Sequence, residues 1–147
     1  MKILVDTTIW SLSLRRARKR TEDMHAPHVS ELAELVRDGR AVLVGPVRQE
    51  ILSGIGDPAL YERLRASLRA FPDEPLDTSD YEGAARASNT CRTRGIVGSP
   101  VDFLLCAVAI ARSYGLYTTD RDFDHYAKHL PLRLHAPRSD TQAPGSL

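Results

Sequence analysis

Long hydrophobic runs are missing from this sequence. Its apolar stretches extend only a few residues, too short to span a membrane. The opening residues, Met1-Lys2-Ile3-Leu4-Val5-Asp6, offer no apolar core of a secretory signal, because Asp6 interrupts it at once. Cysteine is scarce: Cys91 and Cys106 are too few for a disulfide framework or a zinc site. There is no glycine-rich phosphate loop, no Gly-x-Ser-x-Gly and no internal repeat. These absences exclude membrane-spanning, disulfide-stapled and collagen-like classes, and the expected location is the cytoplasm.

What is present is an ordinary globular composition, 42% hydrophobic and 27% charged over 147 residues. That length fits one domain, which should bury roughly 68–70% of its unfolded surface. The net charge of +1 conceals an asymmetry. Residues 15–20, Arg-Arg-Ala-Arg-Lys-Arg, hold five positive charges, so the remainder of the chain carries −4. A positive strip on an acidic body suits a polyanion; a solvated helix end explains it equally well.

Lys2 to Val5 reads as a first strand, ended by Asp6, and Thr7 to Leu14 as the start of a helix. A second helix is expected over 27–38, with Pro27 in its first turn and Gly39 as its stop. Ala41 to Val44 is a second strand, followed by a short helix carrying Val47, Glu50 and Ile51. Asp57-Pro58 caps a helix marked by Leu60, Leu64 and Leu68. Residues 69–76 suggest a weak third strand, interrupted by Pro72 and Pro75. Ser79 and Glu82 form a capping-box pattern for a helix reaching Arg94. Ser99-Pro100-Val101-Asp102 opens the clearest helix, with Val101, Leu104, Leu105 and Val108 inward. Leu116 to Thr119 is a fourth strand ending at Asp120, and Leu132 to His135 a candidate fifth. From Ala136 onward a loose tail is expected. Strands alternating with helices indicate an α/β fold with a mainly parallel sheet.

In open parallel sheets, ligands bind beyond the carboxyl ends of the strands. Asp6 and Asp120 each follow a strand directly, with Asp122 and Asp124 close behind Asp120. Glu50 and Asp102 lie in early turns of their helices. If both helices start at the same rim, four carboxylates from distant parts of the chain, Asp6, Glu50, Asp102 and Asp120, converge there. Clustered anions repel, and a divalent cation relieves that repulsion. Oxygen donors without clustered His or Cys favour Mg²⁺ or Mn²⁺, which can activate water against a phosphodiester.

Each acid also has an ordinary explanation. Asp6 and Asp102 could cap helices, Glu50 could be a solvated position and Asp120 a turn residue. His125 and His129 lie four apart but lack the partner acid of a metalloprotease. Trp10 reads as core or interface, and Cys106 as a small hydrophobe beneath its helix, while Cys91 suggests no role.

Ile3-Leu4-Val5-Asp6-Thr7-Thr8, Glu50 within residues 46–54, Asp102 within 101–109 and Thr119-Asp120-Arg121-Asp122-Phe123 together resemble the PIN-domain nucleases. Size and motif order are similar to the VapC toxins of bacterial toxin–antitoxin pairs. The resemblance covers residues 1–135, leaving 136–147 as the tail. It implies a PIN-like three-layer fold, a parallel sheet flanked by helices, with an acidic pocket holding Mg²⁺ or Mn²⁺. By match, Asp6, Glu50, Asp102 and Asp120 form the pocket. Asp6, Asp102 and Asp120 would bind metal, Glu50 would orient or deprotonate water, and Asp122 is a fifth candidate. A hydroxyl from Thr7 or Thr8 would lie near the first acid. The implied activity is endoribonuclease cleavage of RNA, and the implied partners are a VapB-type antitoxin and a second copy in a homodimer. Three other readings remain open: a PIN-fold RNA-processing nuclease without a toxin role, a non-catalytic RNA- or protein-binding module, and an aspartyl phosphatase. The last needs a second acid at position 8, where this chain has Thr8.

Overall fold

The computed structural model describes residues 1–15 and 25–138. Most of the basic run at 15–20 and of the tail beyond 136 lies outside the described residues. The elements are β1 (Ile3–Val5), α1 (Thr7–Arg15), α2 (Ala26–Arg37), β2 (Ala41–Val42), α3 (Gly45–Leu52), α4 (Pro58–Leu68), α5 (Thr78–Arg92), α6 (Pro100–Arg112), β3 (Gly115–Tyr117) and α7 (Asp122–Ala127). The strands form one parallel sheet in the order β2-β1-β3. Ile3 pairs with Ala41 on one side and Gly115 on the other. The central strand is buried along its whole length, as an unbroken Ile-Leu-Val run in a parallel sheet requires.

The chain steps from β1 to one neighbour, β2, and later returns to the opposite neighbour, β3. That reversal creates a crevice beyond the carboxyl ends of β1 and β3, where loops can accept a ligand. Asp6 continues the ladder there, its N–H donating to the Tyr117 carbonyl at 2.9 Å.

Helix α6 is buried from Phe103 through Ala109 and packs along α5. Cys106 lies beneath it as expected, and Cys91 proves to be a core residue on α5. Trp10 is buried too, its indole N–H donating to the Val5 carbonyl at 3.1 Å. Gly39 stops α2 at φ 69°, a left-handed conformation that suits glycine. Among the described residues, no helix is long and apolar enough to cross a membrane.

Three local expectations need correction. Residues 69–76 form no strand, only a single parallel bridge between Leu43 and Asp73. Pro72 and Pro75 flank that bridge and supply no N–H to extend it. Residues 132–135 likewise contribute one bridge, Leu116 with Leu134, rather than a fifth strand. The capping box of α5 is Asp77 with Asp80, not Ser79 with Glu82. The Asp77 carboxylate accepts from the Asp80 N–H at 3.2 Å, and Asp80 accepts from the Asp77 N–H at 2.9 Å. Asp80 is buried against Arg112, which fixes the helix start two residues earlier than the Ser79 pattern suggests.

Candidate active site

Asp6 lies between β1 and α1 and is only 6% exposed. One carboxylate oxygen accepts from the Thr7 N–H at 2.7 Å, the other from the Thr118 hydroxyl at 2.7 Å. Burial raises its pKa above the ordinary value. The Thr118 and Thr7 hydrogen bonds act against that rise, while the nearby charges of Asp102 and Glu50 add to it.

Asp102 stands in the first turn of α6, but it is not the cap. The Ser99 hydroxyl accepts from the Asp102 N–H at 3.1 Å and does the capping. The Asp102 carboxylate turns instead to Tyr126 on α7, whose hydroxyl donates to Oδ2 at 2.7 Å. Burial and the Asp102 contact push the Tyr126 phenol well above its usual range, so it stays protonated and donates.

Asp120 follows β3 by three residues. Its N–H donates to the Thr118 hydroxyl oxygen at 3.0 Å, and its Oδ1 accepts from the Asp122 N–H at 2.9 Å. This local turn folds Asp122 back toward Asp120. One carboxylate oxygen each from Asp102, Asp120 and Asp122 lies within 4.8 Å of the other two. Asp122 is therefore a member of the tight group, and Asp6 stands outside that triple. Asp6 is linked to it by Thr118 and by mutual repulsion with Asp102.

Glu50 is exposed on α3 and accepts from the Thr7 hydroxyl at 2.8 Å. Thr7 thus serves Glu50 through its side chain and Asp6 through its backbone. The Thr8 hydroxyl lies 3.4 Å from that of Thr118 and accepts from the Thr119 N–H at 3.2 Å. The hydroxyl bonded to Asp6 comes from Thr118, not from Thr7 or Thr8. Sequence reasoning missed Thr118 and Tyr126. Thr118 had one visible signal, its position just past the β3 end beside Asp120.

Among the described residues, none of these five acids is ion-paired with Lys or Arg. Anions gathered in this way, with only oxygen donors, fit a hard divalent cation rather than zinc. His125 and His129 take no part in the group. Cavities of about 520, 430 and 360 Å³ occur elsewhere and are lined by other residues. Of the acids, Asp122 and Glu50 are exposed, Asp102 and Asp120 half-buried and Asp6 buried.

Comparisons with known proteins bear on the family and the fold. The family model of the PIN domain matches residues 3–129. VapBC2 from Rickettsia felis, bound to a DNA fragment from its promoter, superposes with a TM-score of 0.70 at 14% identity, covering 92% of this chain and 98% of that one. FitAcB from Neisseria gonorrhoeae gives 0.70 at 18% identity, with coverage of 92% and 97%. VapBC-1 from nontypeable Haemophilus influenzae gives 0.65 at 16% identity, again with 92% and 97% covered. No curated protein matches by sequence. At these identities the structural likeness speaks for the fold; the family match, spanning most of the chain and all of the acids named above, shows that the chain belongs to the PIN-domain family.

Proposed function

We propose that this chain is a divalent-metal-dependent endoribonuclease and the toxin of a VapBC-type toxin–antitoxin pair. The observation that carries the catalytic part is the approach of Asp102, Asp120 and Asp122 to within 4.8 Å, beside a buried Asp6. Support for the toxin part comes from its similarity to chains solved in VapBC and FitAB assemblies. In this reading a VapB-type antitoxin silences the site, and the toxin is a homodimer.

Asp102, Asp120 and Asp122 would hold the cation, with Asp6 at its edge. Bound Mg²⁺ or Mn²⁺ supplies a more acidic water and neutralises charge on the phosphodiester. Glu50, exposed and aimed by the Thr7 hydroxyl, accepts the proton of the attacking water. The water oxygen bonds to phosphorus as the ester P–O bond breaks, and the departing ribose oxygen takes up a proton from solvent. Thr118 holds Asp6 and the Asp120 backbone in fixed relation throughout.

The test is cleavage of RNA in Mg²⁺ or Mn²⁺, with EDTA and Asp102→Asn as controls. Activity abolished by both is expected. Undiminished cleavage in EDTA, or by Asp102→Asn, would sink the metal assignment. Growth arrest on induced expression, relieved by co-expressing a small neighbouring gene, checks the toxin role.

A further inference from the structure

The hydrogen bond from Tyr126 to Asp102 is built with more care than a surface contact needs. Tyr126 is 1% exposed. Its ring lies against Phe103, with centroids 4.8 Å apart, and against Phe123 at 5.1 Å. Phe103 is the neighbour of Asp102 on α6, and Phe123 the neighbour of Asp122 on α7. The phenol is thus clamped between the two segments that bring the acids together. On α7 it follows Asp122 by four residues, one helical turn. The loop before α6 leaves room for its hydroxyl. A Cβ at Gly98 would come within 2.1 Å of the Tyr126 oxygen and 3.1 Å of the Phe103 ring. Gly98 has no positive φ, so space rather than backbone conformation calls for glycine there.

We propose that Tyr126 is a positioning residue for the acidic cluster: by holding one Asp102 oxygen, it fixes the carboxylate facing Asp120 and Asp122. This rests on the reading of that cluster as a divalent-cation site. Three carboxylates repel one another, and an Asp102 free to rotate would swing outward. A donor fixed by a buried ring resists that swing. Among the described residues, Tyr126 is the only side chain hydrogen-bonded to the Asp102 carboxylate. Donors that orient a metal-binding carboxylate typically change affinity by about 10–100-fold when removed.

Tyr126→Phe keeps the ring and removes only the hydroxyl. Mn²⁺ is titrated calorimetrically onto the wild type, Tyr126→Phe and Asp102→Asn, and melting is followed in EDTA. Wild type is expected to bind, Asp102→Asn to lose binding, and Tyr126→Phe to weaken it by about 10–100-fold. RNA KM at saturating Mn²⁺ should change little, and excess Mn²⁺ should restore most of kcat. Gly98→Ala, which crowds the Tyr126 hydroxyl and ring and the Phe103 ring, should weaken Mn²⁺ binding as well, and the melting curves in EDTA separate that loss from unfolding in either variant. Wild-type Mn²⁺ affinity in Tyr126→Phe overturns the positioning role and leaves the metal site standing. Failure of the wild type to bind Mn²⁺ overturns the metal site itself, and the positioning role with it.

Discussion

The Thr118 hydroxyl donates to Asp6 Oδ2 at 2.7 Å while its oxygen accepts the Asp120 N–H at 3.0 Å. One side chain therefore ties the acid after β1 to the acid after β3. It does so at the crevice where the chain changes direction across the sheet. The bond also favours the ionised form of a carboxylate that burial disfavours.

Thr118→Val removes this link at nearly constant volume. Cleavage is expected to fall by about 10–100-fold, the usual cost of an orienting partner. Stability should drop by about 1.5 kcal/mol, because the lost hydrogen bond goes to a charged group. Single-turnover cleavage and urea unfolding check the two numbers separately. Wild-type cleavage by the valine variant would show that Asp6 needs no side-chain support.

Asp6 itself sets a pH dependence. Its folded pKa is raised above the ordinary 3.8, chiefly by burial. The folded protein therefore holds that proton more tightly than the unfolded chain. The stabilisation from protonation is fully present below 3.8 and fades as pH rises through the folded value. In EDTA, Asp6→Asn should match the wild type in acid and exceed it in stability at pH 7, while losing cleavage. Urea midpoints across this range decide it. A wild type more stable than Asp6→Asn at pH 7 without metal contradicts the burial argument.

Glu50 makes the opposite case. It is exposed and bonded only to Thr7 among the described residues. Glu50→Gln should leave stability within about 0.5 kcal/mol. Cleavage should fall roughly 10²–10⁴-fold if Glu50 takes the proton from water. Mn²⁺ affinity should hold, which separates Glu50 from the aspartates. Full activity in Glu50→Gln would remove it from the mechanism.

Much of this site was legible because three of its acids follow from backbone logic. Ile3-Leu4-Val5 could only be a buried strand, so Asp6 had to emerge at its end; Asp120 lies past the same edge, but three residues beyond β3 rather than directly after it. Asp102 was legible through its helix, since Ser99-Pro100 fixes the first turn. The misses have physical causes as well. The Ser79–Glu82 and Asp77–Asp80 pairs both satisfy the capping pattern. Only the buried Arg112 contact with Asp80 chooses between them. Residues 69–76 and 132–135 carry strand-like side chains but make single bridges. Pairing depends on neighbours that the local sequence does not name. Thr118 and Tyr126 act through contacts 112 and 24 residues away, which no local spacing reveals.

Arg112 closes the far end of α6 and offers a test of stability apart from chemistry. Its guanidinium reaches both Asp80 oxygens, at 2.9 and 3.0 Å, and also Glu74 at 2.9 Å and the Pro75 carbonyl at 2.9 Å. Asp80 is 5% exposed, so Arg112→Met would leave a buried carboxylate without its partner. The loss should be about 3 kcal/mol, lowering Tm by roughly 6–12 °C. Arg112 holds the Asp80 carboxyl below its ordinary 3.8. That stabilisation is present above 3.8 and lost as pH falls through the lower folded value. The gap between wild type and Arg112→Met should therefore narrow in acid. Asp102 lies ten residues back along the same helix, about 15 Å away. Cleavage per folded molecule should accordingly be unchanged. Melting curves at pH 7 and in acid measure the gap. A gap that widens as pH falls would show that the pair's charges are not what holds α5 to α6.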